Sequence, residues 1–534
     1  VIGERATEAS VACHDDAVQP EQTLQIKPGT TWSEIYERCR SIAPEAFGPD
    51  GVRNLWGGEW RDSGTPLSAV SSIDGTAIAG PPMLEPEEAE EALQAAVADH
   101  RSWAVVPLEE RRQRVSATVD ALEIHRELLA LLLVWEVGKP FRQSMVEVDR
   151  TISGVRWYID NIVPMLEGRR PLYGPVSNIA SWNYPLSVLV HAMLVQVLAG
   201  NACVAKSPTD GGVSTLTLAL ALARRAGLPV TLVSGSGGLL SPVLVRSPQI
   251  GCLAFVGGRE AGGQIVSELV RTDKRHMLEQ EGLNAWGIWQ FSDWEGLAVH
   301  LRKGFEYAKQ RCTAYPRYVV QRSLFDQFLA TLLPVLDSLE FGNPLAVQNP
   351  DDPLPDMDFG PLITAAKATE LAGDVEEAID RGGVPLYRGS TDRGHFVSGQ
   401  DTSAYVPPVA IFDPPRSSAL YHAEPFAPID TLVVVDTPAE LLAAMNVSNG
   451  ALVASIACDD IDFANKLAAE LQSFKVGVNK PRSRGDREEP FGGRGASWKG
   501  AFVGGEYLIQ AVTEGPPGER LFGHFPDYQR YPPT

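Results

Sequence analysis

The chain has 534 residues, of which 44% are hydrophobic and 21% charged, with 67 acidic against 46 basic side chains and a formal net charge of −21. That length predicts about two to four domains and a sizeable core. The acidic balance argues against a nucleic-acid partner, because phosphate-backbone binding relies on Lys and Arg displacing counterions.

The longest apolar run, 186–198, is broken by Ser187, His191 and Gln196 and falls short of the roughly 20 apolar residues a membrane span needs. Residues 1–30 lack the apolar segment of a leader. Six cysteines with no CxxC pair make no disulfide framework, so a reduced, cytoplasmic protein is expected. No metal site and no membrane association are assigned.

In chain order, 1–54 reads as an irregular N-terminal extension, with His14, Asp15 and Asp16 followed by scattered prolines. Order begins at 54–61 (NLWGGEWR). Acidic residues alternate with Ala and Leu at helical spacing over 85–97, and 107–137 repeats that pattern with Val115, Val119, Leu122, Leu129 and Leu132 on one side. From 176 to 279 short β-rich runs (176–180, 202–205, 230–233, 252–256, 276–278) alternate with helical stretches, a βαβ rhythm that implies a parallel sheet covered on both faces. A second series occupies 284–479, with strands near 317–320, 406–411, 431–435 and 452–456 and surface loops at 342–358 and 392–401. The tail from Gly515 reads as an extended arm. A Rossmann G-x-G-x-x-G is absent; the nearest cluster, 235–238 (GSGG), reads as a turn. Rhythm and composition therefore indicate an α/β enzyme without specifying its cofactor.

Seven segments resemble, in order, motifs of the aldehyde dehydrogenase superfamily. Residues 181–185 (SWNYP) are similar to P-W-N-F-P, 200–206 (GNACVAK) to G-N-x-x-V-x-K, and 255–262 (FVGGREAG) to F-T-G-S-T-x-x-G. Residues 278–282 (LEQEG) are similar to L-E-L-G-G, 310–314 (QRCTA) to Q-x-C-x-A, 424–428 (EPFAP) to E-x-F-G-P, and 490–493 to P-F-G-G. The resemblance spans about 54–510.

It implies an α/β protein of two domains, each on a largely parallel doubly wound sheet, plus a small β oligomerisation arm. The dinucleotide-binding domain would use 55–155 and 173–280, the catalytic domain 281–480, and the arm 156–172 and 500–534. It also implies oxidation of an aldehyde to a carboxylic acid with NADP or NAD through a cysteine thiohemiacetal and thioester. Cys312 would be the nucleophile, since a thiolate adds readily to a carbonyl and later leaves from the acyl intermediate. Glu279 would deprotonate the deacylating water, and Asn183, with the Cys312 N–H, would bind the oxyanion. Lys206 and Thr209 would face the adenosine ribose, Gly257 and Gly258 the pyrophosphate at a helix N-terminus, Glu424 the nicotinamide ribose, and Phe426 and Trp182 the nicotinamide ring. Cys13, Cys39, Cys203, Cys252 and Cys458 are read as structural.

Four departures stand out: Gln280 and Glu281 replace Leu-Gly, Lys309 replaces Gly, Tyr307 stands where Asn is common, and Gly258 and Arg259 replace Ser-Thr. A second carboxylate beside Glu279 would raise that group's pKa. Two other readings stay open here, a CoA-acylating enzyme of the same fold and a degenerate member serving as a structural or binding protein; retention of Glu279 favours water as acceptor.

For the substrate, His191 lies eight positions beyond Asn183, about two helical turns, so both would face one cleft. Together with Tyr184 and with Arg311 beside the nucleophile, it suggests a polar or anionic aldehyde. Thr209 stands where NAD-preferring relatives carry a glutamate that repels a 2′-phosphate, so NADP acceptance is expected. A homodimer or homotetramer is expected, joined by edge strands in 162–173 and 505–513.

Overall fold

The computed structural model describes residues 24–533 apart from Asp50, Arg271, Asp273 and 484–486. The readings made for His14, Asp15, Asp16, Cys13 and a leader in 1–23 lie outside the described residues.

The two strand–helix series fold into two sheets. In the first, five parallel strands lie in the order Arg275–Gln280, Cys252–Gly257, Val176–Ile179, Cys203–Lys206 and Val230–Val233. Alternate residues of one strand enter separate cores: Cys203 and Ala205 join the helices His191–Leu198 and Val213–Arg225, while Val204 joins the helix Pro86–Trp103. Both faces of the sheet are thus covered by helices, as expected of parallel strands. The second sheet runs Val384–Arg388, Val409–Phe412, Ile429–Val435, Arg317–Gln321, Ala285–Ile288, Ala451–Ala457 and Ser473–Val478, parallel throughout except for its first strand. Between the sheets the chain crosses from Gln280 to Ala285, at the carboxyl end of a parallel strand, where open α/β sheets place their ligands.

Several expectations need correction. Residues 24–54 are not an irregular extension: Trp32–Ile42 is a helix with a Thr31/Glu34 capping box, and Ile35 and Cys39 are buried in the main core. Gln25–Ile26 pairs antiparallel with Ala346–Val347, inside what was read as a bare surface loop. The helical stretch 107–137 is two helices, Leu108–Ile124 and Arg126–Val137, broken at His125.

The segments expected to reach another subunit are occupied within the chain. Residues 141–165 form one helix and Gly505–Ala511 another, and the short strands Arg170–Pro171 and Thr513–Glu514 pair with each other. Among the described residues no separate β arm stands apart. Trp498–Ala501, Gly523–Phe525 and Tyr528–Arg530 extend the first sheet as antiparallel strands beside Arg275–Gln280. A short apolar run bounded by Gly satisfies helix and edge-strand patterns alike, and the intrachain partner decided between them.

Candidate active site

Cys312 sits, partly exposed, between the helix Trp294–Gly304 and the strand Arg317–Gln321. Its approach is unusual: Tyr307, Ala308 and Lys309 have φ of 60°, 52° and 56°, three consecutive left-handed residues with no glycine. Each costs roughly 1–2 kcal/mol in an L-residue, so surrounding contacts must impose the turn. The Tyr307 N–H donates to Asp358 O (3.0 Å). The Gln310 side chain bridges outward, donating to Pro361 O (3.1 Å) and accepting from the Ile363 N–H (3.0 Å). On the far side of the thiol, Asn284 Nδ2 donates to the carbonyls of Cys312 and Ala314, both at 2.8 Å. The crossover that begins after Gln280 thereby holds the Cys312 peptide.

Asn183 is brought to the same loop. Its Nδ2 donates to Gln310 O at 3.1 Å, leaving a second N–H on that nitrogen. Its segment is held by a buried ion pair between Lys139 and Glu147. Lys139 Nζ donates to Asn183 O (3.0 Å) and lies over the Tyr184 and Tyr307 rings, at 3.9 and 4.4 Å. Glu147 accepts from the N–H groups of Leu186 (3.1 Å) and Ser187 (3.2 Å) at the following helical turn. Trp182 continues the aromatic wall, 6.3 Å from Phe426 and 6.4 Å from Tyr307, edge to face; Phe426 is itself held at φ 54°.

Glu279 is buried near the end of its strand, between Val256 and Trp498 in the sheet register. Of the departures after it, Gln280 packs where Gly262 would carry a Cβ, a side-chain carbon lying 2.6 Å from that position, so the glycine is required by the glutamine. The Glu281 carboxylate acts on Glu424. Burial first, then Glu281, raises the Glu424 carboxyl well above the usual range; Arg259 opposes this and Glu279 adds to it. Both Glu424 oxygens lack a hydrogen bond among the described residues, the Gly282 N–H approaching without reaching bonding geometry.

Lys206 is also buried, with its Nζ donating to Ser207 O at 2.9 Å. Burial pushes its pKa down to about 8, and Asp210 partly restores it. Thr209 and Asp210 are both exposed beside it, and Asp210 is the one whose charge acts on Lys206. A buried carboxyl with no hydrogen bond among the described residues and a buried ammonium with spare donors suit a ligand rich in hydroxyls and phosphate. The Gly257 and Gly258 backbone leads into the helix Arg259–Leu269, and a Cβ on Gly258 would meet only Glu281 Oε2 at 3.7 Å, so the helix N-terminus is sterically open to a pyrophosphate while the Glu281 carboxylate opposes the anion's charge. The residues present therefore fit a dinucleotide. Among the described residues no cluster of three metal-ligating side chains occurs.

The geometry alters two substrate-residue expectations: the Arg311 charge acts on Tyr184 through space, but its hydrogen bonds go elsewhere, and His191 faces a different cavity. Arg311 turns away, donating to Gly304 O (2.8 Å) and Lys303 O (3.4 Å) and lying 3.8 Å from Glu306. The left-handed turn reverses the chain and delivers its guanidinium to a helix C-terminus, whose carbonyls attract a cation. His191 lines a cavity with Asn178, Gln196 and Glu279, and neither Asn183 nor Cys312 reaches it. Pro185–Val190 is wound as a π-helix, so eight residues do not complete two α-turns and the register slips. Lys139, Glu147, Asn284 and Asp430 are the contributors missed from sequence. Gly138-Lys139-Pro140, a lysine at a helix stop, was the one visible signal; burial of the others cannot be read from composition.

A family model described as the aldehyde dehydrogenase family matches residues 60–515. The NADP-dependent glyceraldehyde-3-phosphate dehydrogenase of Streptococcus equinus is 26% identical over 86% of this chain and 97% of its own length. The non-phosphorylating aspartate-semialdehyde dehydrogenase of Halomonas elongata is 27% identical over 84% and 93%. Among solved structures, the NADP-dependent glyceraldehyde-3-phosphate dehydrogenase of Bacillus halodurans, complexed with NADP, superposes with a TM-score of 0.77 at 27% identity, over 87% of this chain and 98% of that one. With its α/β fold of parallel-rich sheets, the chain belongs to the aldehyde dehydrogenase family. It is an NAD(P)-dependent enzyme that oxidises an aldehyde to an acid.

Proposed function

We propose that Cys312, Asn183 and Glu279 carry the reaction in this chain. The Cys312 thiolate adds to the aldehyde carbon, and the carbonyl oxygen gains the negative charge as the C–S bond forms. The second Asn183 N–H and the Cys312 backbone N–H stabilise that oxyanion. When bound, the nicotinamide supplies the hydride acceptor that converts the Cys312 thiohemiacetal to a thioester. Glu279 takes a proton from water as it attacks the thioester, the C–S bond breaks, and the thiolate leaves from the free acid. The observation that most supports this reading is the hydrogen bond from Asn183 Nδ2 to the carbonyl two residues before Cys312. Cys312→Ala is expected to abolish aldehyde-dependent nicotinamide reduction without loss of nucleotide binding by fluorescence titration; full activity in that variant ends the proposal.

For the cofactor, Lys206 and Thr209 hold the adenosine ribose end, Gly257 and Gly258 the pyrophosphate and Glu424 the nicotinamide ribose, with Trp182 and Phe426 beside the ring. NADP is accepted as well as NAD, because Thr209 offers a hydroxyl and Lys206 a cation to a 2′-phosphate, and relatives named NADP-dependent support it.

The substrate is a short anionic aldehyde entering past Tyr184, as the relatives named for phosphorylated and carboxylated aldehydes suggest. The supporting cations are Arg311 and Arg150, whose charges both act on Tyr184, Arg311 the more strongly, and Arg487, which donates to Ser153 Oγ at 2.5 Å one turn along the helix that carries Arg150. A panel of semialdehydes and long-chain alkanals decides it; preference for the alkanals contradicts the assignment. The chain assembles as a homodimer or homotetramer.

A further inference from the structure

Lys309 is the departure that the assigned chemistry leaves unexplained, and its surroundings give it a task. The third left-handed residue before the nucleophile buries its ammonium completely. There it pairs with the Asp430 carboxylate, donates to Tyr315 O (3.0 Å) and Tyr318 Oη (3.4 Å), and lies 4.0 Å over the Phe305 ring. Asp430 belongs to Ile429–Val435, an interior strand of the second sheet, and its other oxygen has no partner among the described residues. Phe305 precedes the strained turn and Tyr315 follows the nucleophile, so one ammonium ties both ends of the loop to the middle of the sheet. A glycine would adopt this φ freely. A lysine adopts it only if the side chain is held, and a buried ion pair holds it well, since removing either partner strands the other charge.

We propose that Lys309 and Asp430 form a positioning pair that holds the 307–309 turn in its left-handed form and so fixes where the Cys312 thiol points. The proposal rests on the reading of Cys312 as nucleophile, and its test keeps the two apart. Lys309→Met/Asp430→Leu removes both charges together and avoids the stranded charge of either single change. Lys309→Gly/Asp430→Leu removes them and also relieves the backbone requirement.

Three quantities are measured on the full-length enzyme: the melting temperature, the pre-steady-state burst of reduced nicotinamide together with aldehyde KM, and the iodoacetamide alkylation rate of Cys312 followed by peptide mass. In the Met/Leu variant both burst and alkylation are expected to fall by about 30-fold or more, as for a thiol misplaced by about an ångström, with KM little changed. The Gly/Leu variant is expected to recover most of both rates at a similar melting temperature. That recovery separates positioning from general stability, and it remains readable from alkylation even if Cys312 is not the nucleophile. Unchanged burst and alkylation in the Met/Leu variant overturn the proposal, as does equal slowness of the two double variants.

Discussion

Lys206 holds its proton weakly because burial penalises its charge, and with Lys206 in its proposed place beside the 2′-phosphate, NADP binding should depend on pH. Its pKa lies near 8 rather than at the ordinary 10.5. The charged form binds phosphate, so NADP affinity should be flat below pH 8 and fall above it, by about tenfold per pH unit until the raised pKa of the complex is reached. Fluorescence titration between about pH 7 and 9.5 measures this, and a flat NADP profile contradicts it. At the neighbouring position, Thr209→Glu adds a carboxylate facing the same phosphate. The kcat/KM ratio of NADP to NAD should then drop by about tenfold, the effect of roughly 1.4 kcal/mol of repulsion; an unchanged ratio rejects Thr209 as the discriminating residue.

At the scale of elements, Asn183 and the turn that leads to Cys312, the proposed oxyanion donor and nucleophile, lie on two segments that the buried Lys139 ammonium ties together. Lys139→Met leaves Glu147 buried without its cation and frees the Asn183 carbonyl and the Tyr307 ring. The variant should lose about 3–5 kcal/mol of stability in chemical denaturation and show a slower burst, whereas a stable variant with an unchanged burst rejects this role. Much of this was hidden in the sequence. The strands Cys203–Lys206 and Val230–Val233 were legible because each is a short, almost wholly apolar run between turn residues, with both faces buried. Ala285–Ile288 was not, since Trp286 and Gly287 dilute its pattern, although its place between Arg317–Gln321 and Ala451–Ala457 makes it central to the second sheet. Asn183, Cys312 and Glu279 were findable from motif order. The Lys139–Glu147 and Lys309–Asp430 pairs were not, because a buried charge differs from a solvated one only through partners far away in the chain.

At the scale of the molecule, the tail closes the cofactor sheet on the side of Glu279. Trp498 pairs directly with Glu279, and Gly523–Phe525 and Tyr528–Arg530 cover the next edge. Deleting 517–534 should uncover the Trp498–Ala501 edge and remove the Arg169–Glu519 ion pair, lowering the melting temperature by roughly 5 °C or more and promoting aggregation. A truncated enzyme that melts unchanged and stays monodisperse contradicts that role. Tyr528–Arg530 is the edge strand of its sheet and Arg170–Pro171 pairs only with Thr513–Glu514, so the open edges there are candidate surfaces for the proposed assembly. Light scattering at micromolar concentration should still give a dimeric or tetrameric mass, and a monomer rejects that part of the reading.

The central claim is that acyl transfer runs through Cys312 and that Glu279 releases the product. Glu279→Gln keeps the side chain's shape and removes its basicity, so it should form the thioester and stall there. Mixing this variant with NADP and a reactive aldehyde should give a single burst of reduced nicotinamide. Mass spectrometry should then find one acyl group, located by peptide mapping on Cys312. Steady turnover at the parent rate with no adduct, or an adduct on another residue, contradicts the account.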